Sequence, residues 1–225
     1  MLGTLMNVGT VIAGSTIGLL VHSKLPKTII TIAFQGIGLF TLTIGFTMAM
    51  KTQNFLLMVL SIVLGGIIGQ ALNLEAYIER LSHFLKVKVK SKNEKFTEGF
   101  ISAFLLFCMG SMTIMGAIEE GLGNRPNLYF AKSVLDLFSS AALATSFGVG
   151  VLFSVIPLFI YQGGLTLLAG LLHNVLTEPI VTELTAVGGL ILVGLGLTIL
   201  EIKEIKILNM LPALLISVIL SYLFL

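Results

Sequence analysis

Cysteine, histidine and charge are all scarce here: one cysteine, three histidines, and 11% Asp, Glu, Lys and Arg in 225 residues. The lone Cys108 excludes an internal disulfide and any metal site built from several thiolates, and it reads as an inert small residue inside a helix. His22, His83 and His173 lie at loop edges without acidic or Cys partners at ligand spacing, so they make no metal site. No P-loop, HExxH, GxSxG or dinucleotide fingerprint occurs, and no nucleophile stands beside a base; the expectation is a protein that is not an enzyme and carries no cofactor. Net charge is only +2 and the basic residues gather in one loop, which points away from nucleic acid as a partner. No basic residue precedes the first apolar run, so the positive n-region of a cleavable signal peptide is lacking and Met1 to His22 reads as a retained helix.

What is present is apolar sequence: 56% of the chain, with a mean hydropathy of +1.06. That balance belongs to an integral membrane protein, because crossing about 30 Å of hydrocarbon takes roughly 20 apolar residues as a helix. Eight such stretches stand between short polar breaks, near 4–22, 28–50, 55–73, 98–118, 128–149, 151–172, 180–200 and 206–225. The expected fold is all-α, a polytopic bundle of about eight spans. Between the fifth and sixth stretches only Gly148-Val149-Gly150 marks the turn.

Orientation follows from the basic residues. The run Lys86-Val87-Lys88-Val89-Lys90-Ser91-Lys92, with Arg80 and Lys95 around it, is assigned to the cytoplasm by the positive-inside bias. Alternating the spans then places Lys24, Lys27, Lys203 and Lys206 inside as well, ten of the thirteen basic residues in all, and leaves Lys51, Arg125 and Lys132 outside. Both termini are expected to be extracytoplasmic.

The sequence also repeats itself. Residues 29 to 47, IITIAFQGIGLFTLTIGFT, return 151 positions later as IVTELTAVGGLILVGLGLT, residues 180 to 198. Ile29, Thr31, Gly38, Leu39, Gly45 and Thr47 match Ile180, Thr182, Gly189, Leu190, Gly196 and Thr198, and Gly18-Leu19-Leu20 matches Gly170-Leu171-Leu172 after a one-residue slip. The second and seventh spans are an odd number of crossings apart, so the copies run oppositely. The chain then divides into a first repeat (1–73), a basic cytoplasmic loop (74–97), an inserted helix pair (98–149) and a second repeat (151–225). Inverted repeats of this kind are a main sequence-level sign of a transporter, with the site near the midplane on helices interrupted by Gly or Pro.

Asp136 is the sharpest polar signal, eight residues into the fifth span and so about 12 Å deep at about 1.5 Å per residue. A carboxylate there is costly and normally faces the protein interior or a water-filled cavity. It shares a stripe with Ser133, Ser140, Ala144 and Gly148, which could line a hydrophilic path; the competing reading pairs Asp136 with Lys132 one turn earlier or with the amides of a broken helix. Pro157 and Tyr161-Gln162-Gly163-Gly164 mark a candidate break in the sixth span, and Cys108 to Thr113, with Gly110 and Ser111, another in the fourth. Both also read as plain glycine kinks. The candidate binding set is therefore Asp136, Ser140, Gln162, Gly163, Gly164, Gly110 and Ser111. Asn7, Gln35 and Gln162 are membrane amides that read first as helix-to-helix hydrogen bonds. Glu119-Glu120 reads as a solvated helix end, and Glu183 as interfacial or facing the cavity of Asp136. Thr10, Gly14 and Gly18, and likewise Ser61, Gly65 and Gly69, form small-residue seams for close helix packing, compatible with internal packing or a homodimer.

Three stretches carry a family resemblance: Gly3 to Asn7 (GTLMN), Gly110 to Gly121 (GSMTIMGAIEEG), and Ala131 to Ala169, which begins AKSVLDLFSSAALATSFGVG. They resemble the bacterial membrane proteins of domain of unknown function 554, the YdfK/YqgA type. The resemblance covers essentially the whole chain and implies a multi-pass protein of the bacterial inner membrane. It supplies no functional residues to carry over.

Two readings of function stand. One is a small secondary-transporter-like protein moving a small solute or ion, cation- or proton-coupled through Asp136. The other is a non-transporting accessory or sensor protein whose basic loop binds anionic lipid or a soluble partner.

Overall fold

The computed structural model describes residues 1–22, 26–88 and 95–224, without the side chains of Lys27, Ile30, Ala33, Phe34, Glu79, Leu81 and Ser82. Lys24, Val89, Lys90, Ser91 and Lys92 of the orientation argument lie outside the described residues. The described chain is helical: α1 (Leu2–His22), α2 (Lys27–Ala49), α3 (Phe55–Leu72), α4 (Leu74–Lys88), α5 (Phe96–Cys108), α6 (Ser111–Gly121), α7 (Asn127–Phe147), α8 (Gly150–Phe153), α9 (Val155–Leu167), α10 (Ala169–Leu172), α11 (Glu178–Ile199), a 3-10 turn (Ile207–Met210) and α12 (Pro212–Phe224). Five of these stretches are long and apolar enough to cross a bilayer, and six if the bent pair α5 and α6 counts as one. The stretch expected at 128–149 is helical as α7, but Lys132 and Asp136 lie in it; the described apolar part of α2, Gln35–Ala49, is short. One element falls where a loop was expected, since α4 occupies Leu74–Lys88 of the basic segment.

The helices sort into two compact units, residues 1–37 with 82–172 and residues 38–81 with 173–225. In the first unit α1 and α7 run parallel, in contact along their length. A Cβ added at Gly3 would come within 2.7 Å of the Tyr129 Cβ, one at Gly18 within 2.8 Å of the Ala144 Cβ, and one at Gly14 would strike the Leu137 carbonyl and the Ser140 hydroxyl. The Gly14 and Gly18 seam is therefore internal packing, where the absence of a side chain lets two backbones touch without a hydrophobic drive from lipid.

Between α5 and α6 the helix axis bends by 59° at Met109 and Gly110. Gly110 is extended (ψ 146°) and caps α6 without a side chain. The Thr113 hydroxyl donates to the Phe107 carbonyl at 2.8 Å, and the Tyr129 hydroxyl donates to the Thr113 carbonyl at 2.9 Å, so neighbours take up carbonyls near the bend. The expected break at Gln162 to Gly164 does not occur, because α9 is helical from Val155 to Leu167. Pro157 is its third residue, within the first turn, where a missing N–H costs no helical hydrogen bond. The interruptions flank α9 instead, at Ser154 and Leu168, and Gly148 with φ 76° makes the turn from α7 into α8.

The second unit is built on two antiparallel pairs. A Cβ on Gly38 would meet the Leu200 side chain at 2.6 Å, and one on Gly189 would meet the Ala49 nitrogen at 2.5 Å. A Cβ on Gly45 would meet the Val193 nitrogen at 2.7 Å, and one on Gly196 the Leu42 side chain at 2.7 Å. Along α3 and α12, Gly65 abuts Ala213 and Gly69 abuts the backbone of Asn209. Met58, Ala186, Val187 and Ala213 form a buried hydrophobic cluster in this unit. Glu183 is 1% exposed and is spent on the start of α3, accepting from the Thr52 hydroxyl at 2.6 Å and from the N–H groups of Gln53 and Asn54 at 2.6 and 3.2 Å. Its carboxylate does at the α3 N-terminus what a capping side chain does locally.

Candidate functional site

In the first unit α1, α6, α7 and α9 bring together a buried polar chain. On α7 the Lys132 ammonium is ion-paired with Asp136, one helical turn apart, and both are buried. Lys132 Nζ also lies 5.7 Å from the centre of the Phe107 ring, at the end of α5. Asn7 of α1 stands beside Asp136 and donates from Nδ2 to Gln162 Oε1 of α9 at 3.0 Å. One turn earlier on α1 the Thr4 hydroxyl meets the Thr166 hydroxyl at 3.4 Å and donates to Glu120 Oε2 at 2.7 Å, while the Thr166 hydroxyl donates back to the Gln162 carbonyl at 3.0 Å. Glu120 further accepts from the N–H groups of Gly3 and Thr4 at 2.5 and 3.2 Å and lies 3.0 Å from the Met1 amino group.

Asn7 and Gln162 are fully buried, and among the described residues Asn7 Oδ1 and Gln162 Nε2 have no hydrogen-bond partner. Turning both amides over exchanges the atoms but still leaves one carbonyl oxygen and one NH2 group over. The pair therefore leaves over one donor and one acceptor, with Asn7 next to the Asp136 carboxylate. Those are the groups that a small hydrogen-bonding solute, a cation or a water molecule would require.

Comparison with known proteins places the chain. The family described as protein of unknown function, DUF554, matches residues 2–222. This chain belongs to the DUF554 family. The DUF554 chain is 35% identical over 225 residues to the uncharacterized protein YqgA of Escherichia coli K12, covering 98% of this chain and 96% of that one. It is 33% identical over 220 residues to the uncharacterized membrane protein YdfK of Bacillus subtilis 168, covering 96% and 93%. No solved structure matches it.

Of the residues singled out from the DUF554 sequence, the fold brings Asp136 and Gln162 together through Asn7. The Ser140 hydroxyl donates to the Leu137 carbonyl at 3.0 Å, as that of Ser133 does to Tyr129 at 2.7 Å, and Ser140 lies where α7 packs on Gly14. Gly110 and Ser111 stand at the bend, and Gly163 and Gly164 follow Gln162 on α9; an added Cβ at Gly110 or Gly164 would have nothing within 4 Å. Glu120, expected at a solvated helix end, is 8% exposed and holds the first turn of α1 from 116 residues away. Glu119 caps α7 through the Leu128 N–H at 3.0 Å. The one sequence signal for Glu120 was a carboxylate at the end of an apolar stretch.

Proposed function

We propose that this DUF554 protein is a small secondary carrier that moves a small solute or ion, with Asp136 as the group that exchanges a cation or proton. The observation that carries this reading is the buried chain Lys132, Asp136, Asn7 and Gln162, with a donor and an acceptor left over where three helices meet. Ionisable groups inside a membrane bundle are expensive and mark pathways more often than scaffolds. In this mechanism a cation binding to Asp136 displaces the Lys132 ammonium, and the amide pair orients the cargo.

The reading includes an inverted repeat and eight crossings. Positions equivalent under the 151-residue offset make reciprocal contacts: Gly38 with Leu200 and Gly189 with Ala49, Gly45 with Val193 and Gly196 with Leu42. That reciprocity is what an isologous, two-fold packing of two copies produces. The helix directions agree with strict alternation, since α1 runs parallel to α7 and antiparallel to α9, α2 antiparallel to α11, and α3 antiparallel to α12. On this reading, with the basic residues on the cytoplasmic side, both termini face the extracytoplasmic side of the inner membrane.

The test is solute flux into proteoliposomes across a panel of ions and amino acids. Asp136→Asn is expected to cut the rate of any solute the wild type moves by about 100-fold, the range of effect seen when a proton-handling group is lost. Equal rates in the two proteins would remove Asp136 from the mechanism, and a wild type that moves none of the panel would count against the carrier reading itself.

A further inference from the structure

The carrier reading leaves α4 without a role. Helix α3, apolar enough to cross a bilayer, ends at Leu72, and the chain turns through Asn73, whose φ of 51° is left-handed, straight into Leu74 of α4. One residue therefore separates the end of an apolar helix from the start of α4. At 3.6 residues per turn Tyr77, Arg80, Phe84, Val87 and Lys88 share one face of the helix, and Lys86 lies opposite. On that face Tyr77, Phe84 and Val87 are 63%, 60% and 60% exposed. The Arg80 guanidinium sits 5.7 Å from the Tyr77 ring centre and the Lys88 ammonium 5.8 Å from that of Phe84. Aromatic and aliphatic bodies with cations beside them make up helices that lie in the headgroup region rather than across the bilayer.

We propose that α4 is a binding surface for anionic phospholipid, lying along the leaflet where α3 ends, with Tyr77, Phe84 and Val87 at the acyl boundary and Arg80 and Lys88 on lipid phosphates. The sign of the charge selects the partner, since along α4 Arg80, Lys86 and Lys88 outnumber Glu75 and Glu79. The near end of α4 is tied down: the Glu75 N–H donates to Asn209 Oδ1 at 2.9 Å, and Asn209 Nδ2 donates to Gln70 Oε1 at 3.0 Å. Lipid docking at α4 is thereby linked to the 3-10 turn that leads into α12. The proposal stands whether or not the protein transports anything.

The test uses the full chain with its one cysteine, the buried Cys108, changed to alanine. Phe84→Cys and Lys86→Cys, each in that background and labelled with an environment-sensitive fluorophore, are reconstituted into vesicles of phosphatidylcholine alone or with about one-third phosphatidylglycerol. The expected result is quenching by lipid-borne quenchers at position 84 but not at 86, at least about twofold stronger with phosphatidylglycerol and lost on raising salt or on Arg80→Gln with Lys88→Gln. Equal quenching at the two positions would overturn the proposal, as would quenching at 84 that ignores phosphatidylglycerol, salt and the two charges.

Discussion

Lys132→Met is expected to destabilise the solubilised protein by about 3–5 kcal/mol, because it strands Asp136 as an unpaired buried carboxylate. For a chain of this size that is a fall in Tm of about 6–20 °C in a thermal unfolding assay. The double variant Lys132→Met with Asp136→Leu removes both charges and should regain most of the loss, since a buried ion pair replaced by apolar groups of similar volume is often neutral. The same double variant separates scaffold from mechanism. If the pair only holds α7 together, a refolded double variant keeps wild-type flux; in a carrier it is stable and inactive. A double variant as unstable as the single one would mean that the pair is not isolated, and that Asn7 beside it also depends on the charge.

Gly45→Leu and Gly189→Leu form the second large effect. At either glycine an added Cβ would already approach the other helix's backbone, to 2.7 Å from the Val193 nitrogen in one case and 2.5 Å from the Ala49 nitrogen in the other. Backbone cannot rotate aside as a flexible side chain does, so each variant should lose about 3 kcal/mol or fail to accumulate. Gly36→Ala on the same α2 is the control, with nothing within 4 Å of its Cβ and an expected gain of up to about 1 kcal/mol from helix propensity. Protein yield and detergent melting temperature measure both. Similar behaviour at 36 and 45 would contradict the close packing of α2 on α11.

What could be read in the sequence was what depends on composition and near neighbours. The apolar stretches became helices, Gly148 made its turn, and the alternative reading of Asp136, a pair with Lys132 at a spacing of four, is the arrangement observed. Asn7 and Gln162 each read as helix-to-helix hydrogen bonds, and they bond to each other. Glycine seams were visible too, because small residues at helical spacing have few other uses in lipid. The rest hinged on distant partners. Glu120 reads as a solvated helix end and Glu183 as interfacial or facing the cavity of Asp136, until the fold sets them against helix starts 116 and 129 residues away. Neighbouring glycines do not say whether a helix breaks: Gly110 bends its span, whereas Gly163 and Gly164 stay inside α9. Polar residues in 74–97 hid α4, whose apolar positions repeat every three or four residues within a charged stretch.

The central claim is that the groups around Asp136 can meet water. With Cys108 replaced by alanine, Asn7→Cys and Gln162→Cys should react with a membrane-impermeant thiol reagent added to sealed vesicles, and each should be reachable from both sides of the membrane. Leu135→Cys, about 100° round α7 from Asp136 and 56% exposed, should stay unreactive because it faces lipid. Asn7→Cys and Gln162→Cys as unreactive as Leu135→Cys, from either side, would make the polar chain a sealed structural core and contradict the carrier account.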